Sequence, residues 1–261
     1  MAEPASLKRP RKRTKERPPT LMGRFWLRLA AIVFYPATSL LSRVRVHGLA
    51  NIPATGPAIL VLNHISHLDP VYDAVTVHRA ARIPRFMAKS TLWNVPVLRN
   101  VLIGVEQIPV FRRTADARKS LESAHDALEV GKVVILYPDG TVTKDPEGWP
   151  MIPKPGVARL ALEHDVPILP AARWGTRDIY DHYAKKFRPF PRKTVHVRIG
   201  EPLDLSEFHG KSADAHTLRA ISEAAMNRVR ELLSEIREQQ PPEEFYSPAR
   251  SQQTRSDDDG A

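Results

Sequence analysis

Ala58-Ile59-Leu60-Val61-Leu62-Asn63-His64-Ile65-Ser66-His67-Leu68-Asp69-Pro70 changes character twice. Its first five residues are all aliphatic. A strand with one wet face would alternate, so the unbroken run predicts a strand buried on both sides. A polar cluster follows at once, then Asp69-Pro70, which reads as a helix start with Asp as N-cap and Pro at the first helical position. Strand, polar turn and helix form the unit of an open α/β sheet. Such sheets place their sites beyond the carboxyl ends of the strands.

Outward from this unit the alternation continues. Further runs rich in Val and Ile stand at 105–111, 132–137, 166–172 and 195–199, with weaker ones at 44–47 and 85–89. Helix-like stretches at about 70–80, 115–130, 156–164 and 214–238 separate them. The expectation is α/β: a single domain over residues 43–239, with a mostly parallel, buried mixed sheet flanked by helices. The 214–238 segment sets Leu218, Ile221, Ala225, Val229, Leu232 and Ile236 on one stripe, which should pack on the sheet. Residues 240–261 turn to Pro, Ser, Gln and Asp and are expected to be a disordered tail.

A length of 261 residues suits one such domain with extensions. The absence of cysteine excludes disulfides, thiolate metal sites and a thiol nucleophile. Half of the net charge of +10 lies in residues 1–20, which hold seven basic and two acidic residues and few large apolar ones. This reads as a basic disordered tail that seeks nucleic acid or acidic lipid. Residues 21–42 favour lipid. Met22, Phe25, Trp26, Leu29, Ile32 and Val33 fall at helical spacing, with Arg24 and Arg28 on another face. The longest uncharged run there has 14 residues and contains Pro36, short of the roughly 20 needed to span a bilayer. An amphipathic interfacial helix is expected, peripheral or monotopic on the cytoplasmic face of an anionic membrane. A helix packed on its own domain is the competing reading. Two internal arginines and no small-residue cleavage site argue against a signal peptide.

His64 stands five residues before Asp69, too far round a continuous helix to share its face, but close if the turn folds back. A carboxylate accepting from one imidazole nitrogen fixes the tautomer and supports the cation formed when the other nitrogen takes a proton. Each residue also has a structural reading: a helix cap, and a satisfied strand-end histidine.

The pattern NHISHLDP resembles the H-x4-D signature of the glycerolipid acyltransferase family, whose best-known members are the 1-acylglycerol-3-phosphate acyltransferases. Three more blocks follow in the family's order. Gly104-Val105-Glu106-Gln107-Ile108-Pro109-Val110-Phe111-Arg112 resembles the second, where an arginine closes a strand. Tyr137-Pro138-Asp139-Gly140-Thr141 resembles the third, usually F-P-E-G-T, and Val166-Pro167-Ile168-Leu169-Pro170 the fourth. Lys154-Pro155-Gly156 and Ile199-Gly200-Glu201-Pro202 are also similar. The likeness spans about 40–235.

The resemblance implies acyl transfer from acyl-CoA or acyl carrier protein to a lysophospholipid hydroxyl, most simply that of 1-acylglycerol-3-phosphate, with no cofactor. His64 would be the general base and Asp69 its orienting partner. Arg112 would pair the acceptor's phosphate, a task suited to a guanidinium fork. Asp139, Gly140 and Thr141 would offer backbone N–H groups and a carboxylate to the glycerol moiety. No G-x-S-x-G elbow is present, so direct attack is expected rather than a serine acyl-enzyme. Two departures stand out: Asp139 replaces the usual Glu, and Val142 stands where many members have Arg. Lys89, Arg113 or Lys144 are the candidates to replace that phosphate contact.

Other readings are weaker. A metal site from His64, His67 and Asp69 lacks a further ligand set, and no metal is expected. A nucleic-acid partner is not expected either, since no helix-turn-helix, zinc-finger or RNP signature occurs. The alternative within acyl transfer is another acceptor, a different lysophospholipid or a glycolipid.

Overall fold

The computed structural model describes residues 19–111, 117–164, 166–208 and 210–248. In chain order the elements are α1 (Leu21–Leu41), β1 (Ser42–His47), β2 (Ala58–Leu62), α2 (Asp69–Arg79), β3 (Pro84–Lys89), α3 (Pro96–Gly104), β4 (Ile108–Val110), α4 (Ala117–Glu129) and β5 (Val133–Leu136). There follow α5 (Gly156–His164), β6 (Ile168–Trp174), α6 (Thr176–Ile179), β7 (Tyr180–Asp181), β8 (Lys186–Phe187), β9 (Lys193–Ile199) and α7 (Ala215–Arg237).

Seven strands form one sheet in the order β1-β9-β6-β2-β5-β3-β4, and β7 pairs with β8 in a separate hairpin. Only β6 and β9 pair antiparallel in the large sheet. This is the mostly parallel α/β domain expected from the sequence. The unbroken aliphatic run is explained by β2, because its side chains feed two cores. Ile59 and Val61 join the cluster roofed by α4, α5 and α7. Ala58, Leu60 and Leu62 join the other, with Tyr72 and Val77 of α2. Each fully buried aliphatic side chain stabilises by roughly 1.5–3 kcal/mol. From β2 the chain crosses to β3 on one side, whereas from β5 it crosses to β6 on the other. Such a reversal opens a crevice beyond the carboxyl ends of the strands around it.

Several boundaries differ from the sequence reading. The weak runs at 44–47 and 85–89 are full strands, β1 and β3. The run at 105–111 shrinks to β4, because Glu106 adopts a left-handed backbone (φ 53°) that turns the chain. There Gln107 Oε1 accepts from Phe86 N at 2.6 Å and fixes the turn to β3. The expected tail begins later than residue 240. Ile152 N donates to Tyr246 O at 3.2 Å, and Arg230 covers the Phe245 ring, so the chain stays on the domain to at least Tyr246. Residues 1–18 and 249–261 lie outside the described residues.

The N-terminal segment is one helix, α1, with Pro36 on its exposed side. It packs through Gly23, Trp26 and Thr38, and the expected apolar stripe, apart from Trp26, faces outward. Trp26 lies on Gly104 of α3, where a Cβ would stand 2.0 Å from Trp26 Cδ1. Only glycine permits that approach. No helix among the described residues is long and apolar enough to cross a membrane.

Candidate active site

The site is built where β2 ends. Asn63 extends the β2–β6 ladder with its side chain: its amide donates to Arg173 O at 2.9 Å and accepts from Arg173 N at 2.8 Å. The next residue is His64, whose Nδ1 lies 2.8 Å from Asp69 Oδ2. That oxygen also accepts from Ile65 N at 2.7 Å and Ser66 N at 2.9 Å, so the whole turn folds around one carboxylate. Asp69 is the first residue of α2 rather than its N-cap, a position held by Leu68. Its acceptor bonds run upstream, not to the N2 or N3 amides that a capping side chain takes.

Burial alone would raise the Asp69 carboxyl. The Arg173 guanidinium, with hydrogen bonds from His64 and Thr176, instead holds it far below the usual carboxylate range. An ionised carboxylate can only accept, so Nδ1 is the donor to Asp69, and in the neutral ring the lone pair falls to Nε2. The His64 side chain is 12% exposed and Asp69 fully buried. A partly open imidazole held by a dry carboxylate is an arrangement suited to general acid–base chemistry.

Behind the pair lies a network that the sequence reading missed. Arg173 is fully buried. Its Nε is 3.0 Å from Asp69 Oδ1, its Nη1 pairs with Asp73 Oδ1, and its Nη2 donates to Asn63 O at 2.8 Å. Thr176 Oγ1 donates to Asp69 Oδ1 at 2.5 Å. The Tyr137 ring stacks on the His64 ring at 4.4 Å, and its hydroxyl donates to Asp73 Oδ2 at 2.5 Å. Burial pushes the Asp73 carboxyl up against the pull of Arg173. Two signals for these residues were present in the sequence. Asp73 follows Asp69 by four positions, on one helical face. Arg173 closes an apolar strand, where an unpaired charge would be costly.

The Tyr137-Thr141 turn takes a different part from that implied by the resemblance. Asp139 is not presented to the crevice: it is buried, with Oδ1 accepting from Met151 N at 2.8 Å. Its Oδ2 has no hydrogen bond of its own. Gly140 N donates to Tyr137 O at 2.9 Å, so this amide is already used. Gly140 is left-handed (φ 71°), and a Cβ on it would stand 2.4 Å from Lys154 Nζ. The turn therefore locks to the Lys154 segment, and Thr143 N donates to His64 O at 2.7 Å to tie it to the β2–α2 turn.

Burial raises the Asp139 carboxyl to about 7, against weaker pulls from the Met151 and His64 amides and Lys154. The native state therefore binds the proton more tightly than the unfolded chain, so this residue costs stability as pH rises from about 4 through 7. Asp139→Asn is expected to gain Tm relative to wild type as pH rises through that window, with little change in KM. Melting curves at several pH values check the first expectation. A KM raised tenfold would restore the acceptor-binding role.

Other expected site residues are placed as follows. Thr141 is part-buried, and Lys144 is exposed beyond it. Lys89 is exposed at the carboxyl end of β3, opposite Val110 of β4. Arg112 and Arg113 lie outside the described residues. Ser66 Oγ donates to Tyr180 O at 2.7 Å, and the His67 and His182 rings meet edge to face at 4.0 Å. The β7–β8 hairpin is thereby held beside the site, with Tyr183 OH donating to Val142 O at 2.9 Å. Among the described residues no three His, Cys, Asp or Glu side chains group to hold a metal.

Comparison with known proteins shows the family and the fold. The 1-acyl-sn-glycerol-3-phosphate acyltransferase of Borreliella burgdorferi is 27% identical over 139 residues, covering 53% of this chain and 54% of the relative. An uncharacterised Mycobacterium tuberculosis protein is 27% identical over 148 residues, covering 53% of this chain and 39% of its own. The chain thus spans about half, or less, of the length of these curated relatives. The crystal structure of the 1-acyl-sn-glycerophosphate acyltransferase PlsC from Thermotoga maritima superposes with a TM-score of 0.57. The identity is 25%, with 80% of each chain covered. The acyltransferase family pattern matches residues 43–174, from the second residue of β1 to the last of β6 and so through His64, Asp69, Asp73, Tyr137 and Arg173; the chain belongs to the acyltransferase family.

Proposed function

We propose that the chain transfers a fatty acyl group from acyl-CoA or acyl carrier protein to the free hydroxyl of a lysophospholipid. The proposed acceptor is 1-acylglycerol-3-phosphate, giving phosphatidic acid. What carries the reading is His64, with Nδ1 committed to a buried, ionised Asp69 and Nε2 open at the sheet's switch point.

In this reading Nε2 takes the acceptor hydroxyl's proton as the oxygen attacks the thioester carbonyl carbon. Asp69, backed by Arg173 and Thr176, offsets the imidazolium's charge. The tetrahedral intermediate then expels the thiolate, which recovers the proton from Nε2. The C–O bond forms on the way to the intermediate, the C–S bond breaks as it collapses, and no acyl group rests on the protein.

Lys89 and Val110 close β3 and β4 at the same edge of the sheet where β2 ends before His64. Lys89 is assigned to the acceptor's phosphate on that ground, and Arg112 on its match to the family's second sequence block. Arg112→Ala is expected to raise KM for a phosphate-bearing acceptor roughly tenfold, as loss of a charged hydrogen-bonded pair does, and to leave donor KM unchanged. Steady-state kinetics with each substrate varied checks this. An unchanged acceptor KM would remove Arg112 from the site.

The outward stripe of α1, with Met22, Phe25, Ile32 and Val33 exposed, and the basic residues 1–20 together fit a helix lying in an anionic membrane surface. The function as a whole is tested by incubating purified protein with an acyl thioester and a panel of lysolipids, reading free thiol. Thiol release that tracks new ester supports the reading. No release with any acceptor ends it.

A further inference from the structure

Residues 185–193, Lys185-Lys186-Phe187-Arg188-Pro189-Phe190-Pro191-Arg192-Lys193, carry five basic residues and no acid. They connect the hairpin beside the active site to β9. Phe187 is 58% exposed and Phe190 67% exposed, while Lys185, Lys186 and Arg188 are also at the surface. The nearest acid in the hairpin ladder, Asp181, stands opposite Lys186 but lies 3.6 Å from Arg177 instead. Among the described residues no carboxylate pairs with Lys185, Lys186 or Arg188, and such cations interleaved with bare aromatic rings are unusual on a solvated surface. Aromatics there gain nothing from water, and like charges repel across short spacings.

Position gives the patch a direction. β9 runs antiparallel to β6, so its first residue, Lys193, lies at the sheet edge where β6 ends and the site begins. The hairpin hangs from the same edge through Ser66 and Val142. Arg192 ties the segment to the carboxyl end of α1, its Nη2 donating to Ser39 O and, at 2.9 Å, to Ser42 O. Leu40 is exposed there as well. The basic–aromatic segment thus continues the outward apolar stripe of α1 around to the mouth of the crevice.

We propose that Lys185–Lys193 is a second docking element for an anionic lipid bilayer, which turns the His64 crevice toward the membrane surface. The proposal rests on the lipid-acylating reading above, since it makes the bilayer the source of the acceptor. Lys185, Lys186 and Arg188 would meet lipid phosphates and carboxylates, and Phe187 and Phe190 would enter the headgroup boundary, where aromatic rings favour one apolar and one wet side. An acyl acceptor could then reach His64 without leaving the bilayer.

The test is co-sedimentation of the full chain with phosphatidylcholine vesicles, with and without phosphatidylserine. The wild type is compared with Lys185→Ser/Lys186→Ser/Arg188→Ser, with Phe187→Ser/Phe190→Ser, and with Phe25→Ser/Ile32→Ser in α1. All substituted side chains are exposed, so folding should persist, and circular dichroism verifies it. The charge variant should lose on the order of 10²-fold in affinity for serine-containing vesicles, with its salt dependence flattened. The aromatic variant should lose roughly tenfold on those vesicles. Both should keep wild-type turnover on a short-chain acceptor dissolved as monomer. Unchanged binding in the segment variants, with binding lost in the α1 variant, would overturn this proposal and leave the membrane reading of α1 intact. Wild type that ignored both kinds of vesicle would overturn the two together. Loss of turnover on the dissolved acceptor would also overturn it, by making the segment part of the reaction site.

Discussion

His64→Ala is expected to lose roughly 10²–10⁴-fold in kcat, the usual worth of a positioned general base, while the protein keeps its fold and its acyl-donor KM. The imidazole is nearly covered but bears little of the structure. Its neighbours in the turn are held by Asp69, which accepts from Ile65 and Ser66 amides whether or not the ring is there. His64→Ala leaves those bonds in place. His64→Gln is the sharper control, because an amide can still donate to Asp69 yet has no basic nitrogen. If orientation alone mattered, Gln would restore activity. Turnover within tenfold of wild type in either variant would exclude His64 as the base.

Arg173→Met is expected to destabilise the protein by about 3–5 kcal/mol, because it strands buried carboxylates without their cation. In a domain of this size that is a fall in Tm on the order of 10 °C. Arg173 faces Asp69, Asp73 and the Asn63 carbonyl at once. Arg173→Lys should rescue only part, since an ammonium cannot reach three acceptors set in a plane. The pH dependence has a definite sign. The Asp69 carboxyl is depressed in the folded state, so its contribution is present above the ordinary carboxylate value and is lost as pH falls below about 4. The Tm gap between wild type and Arg173→Met should therefore narrow in acid. A gap that widened would mean that Arg173 does not stabilise the ionised carboxylate.

The fold was legible where residue pattern and environment coincide. The run Ala58–Leu62 serves two cores, so its unbroken apolarity named a central strand. Position 105–111 misled because apolarity alone does not separate a helix end and a turn from a strand; the left-handed Glu106 and the Gln107 side chain decide it. The His64–Asp69 pair was legible because the carboxylate gathers its own turn, a local event within six residues. Arg173 was not, since it reaches Asp69 and Asp73 only when β6 pairs beside β2, and that pairing is not written in spacing. Asp139 shows the limit of resemblance. One methylene shorter than the usual glutamate, its buried carboxylate accepts from the Met151 amide.

In the proposed direct transfer, a hydroxyl activated by His64 attacks the donor, and nothing is acylated in between. Rapid mixing of the protein with near-stoichiometric acyl thioester, with and without lysophospholipid, measures this through the free thiol released in the first turnover. Direct transfer gives no release until acceptor is present, then one thiol for each ester formed. A burst of one thiol per protein without acceptor would contradict it.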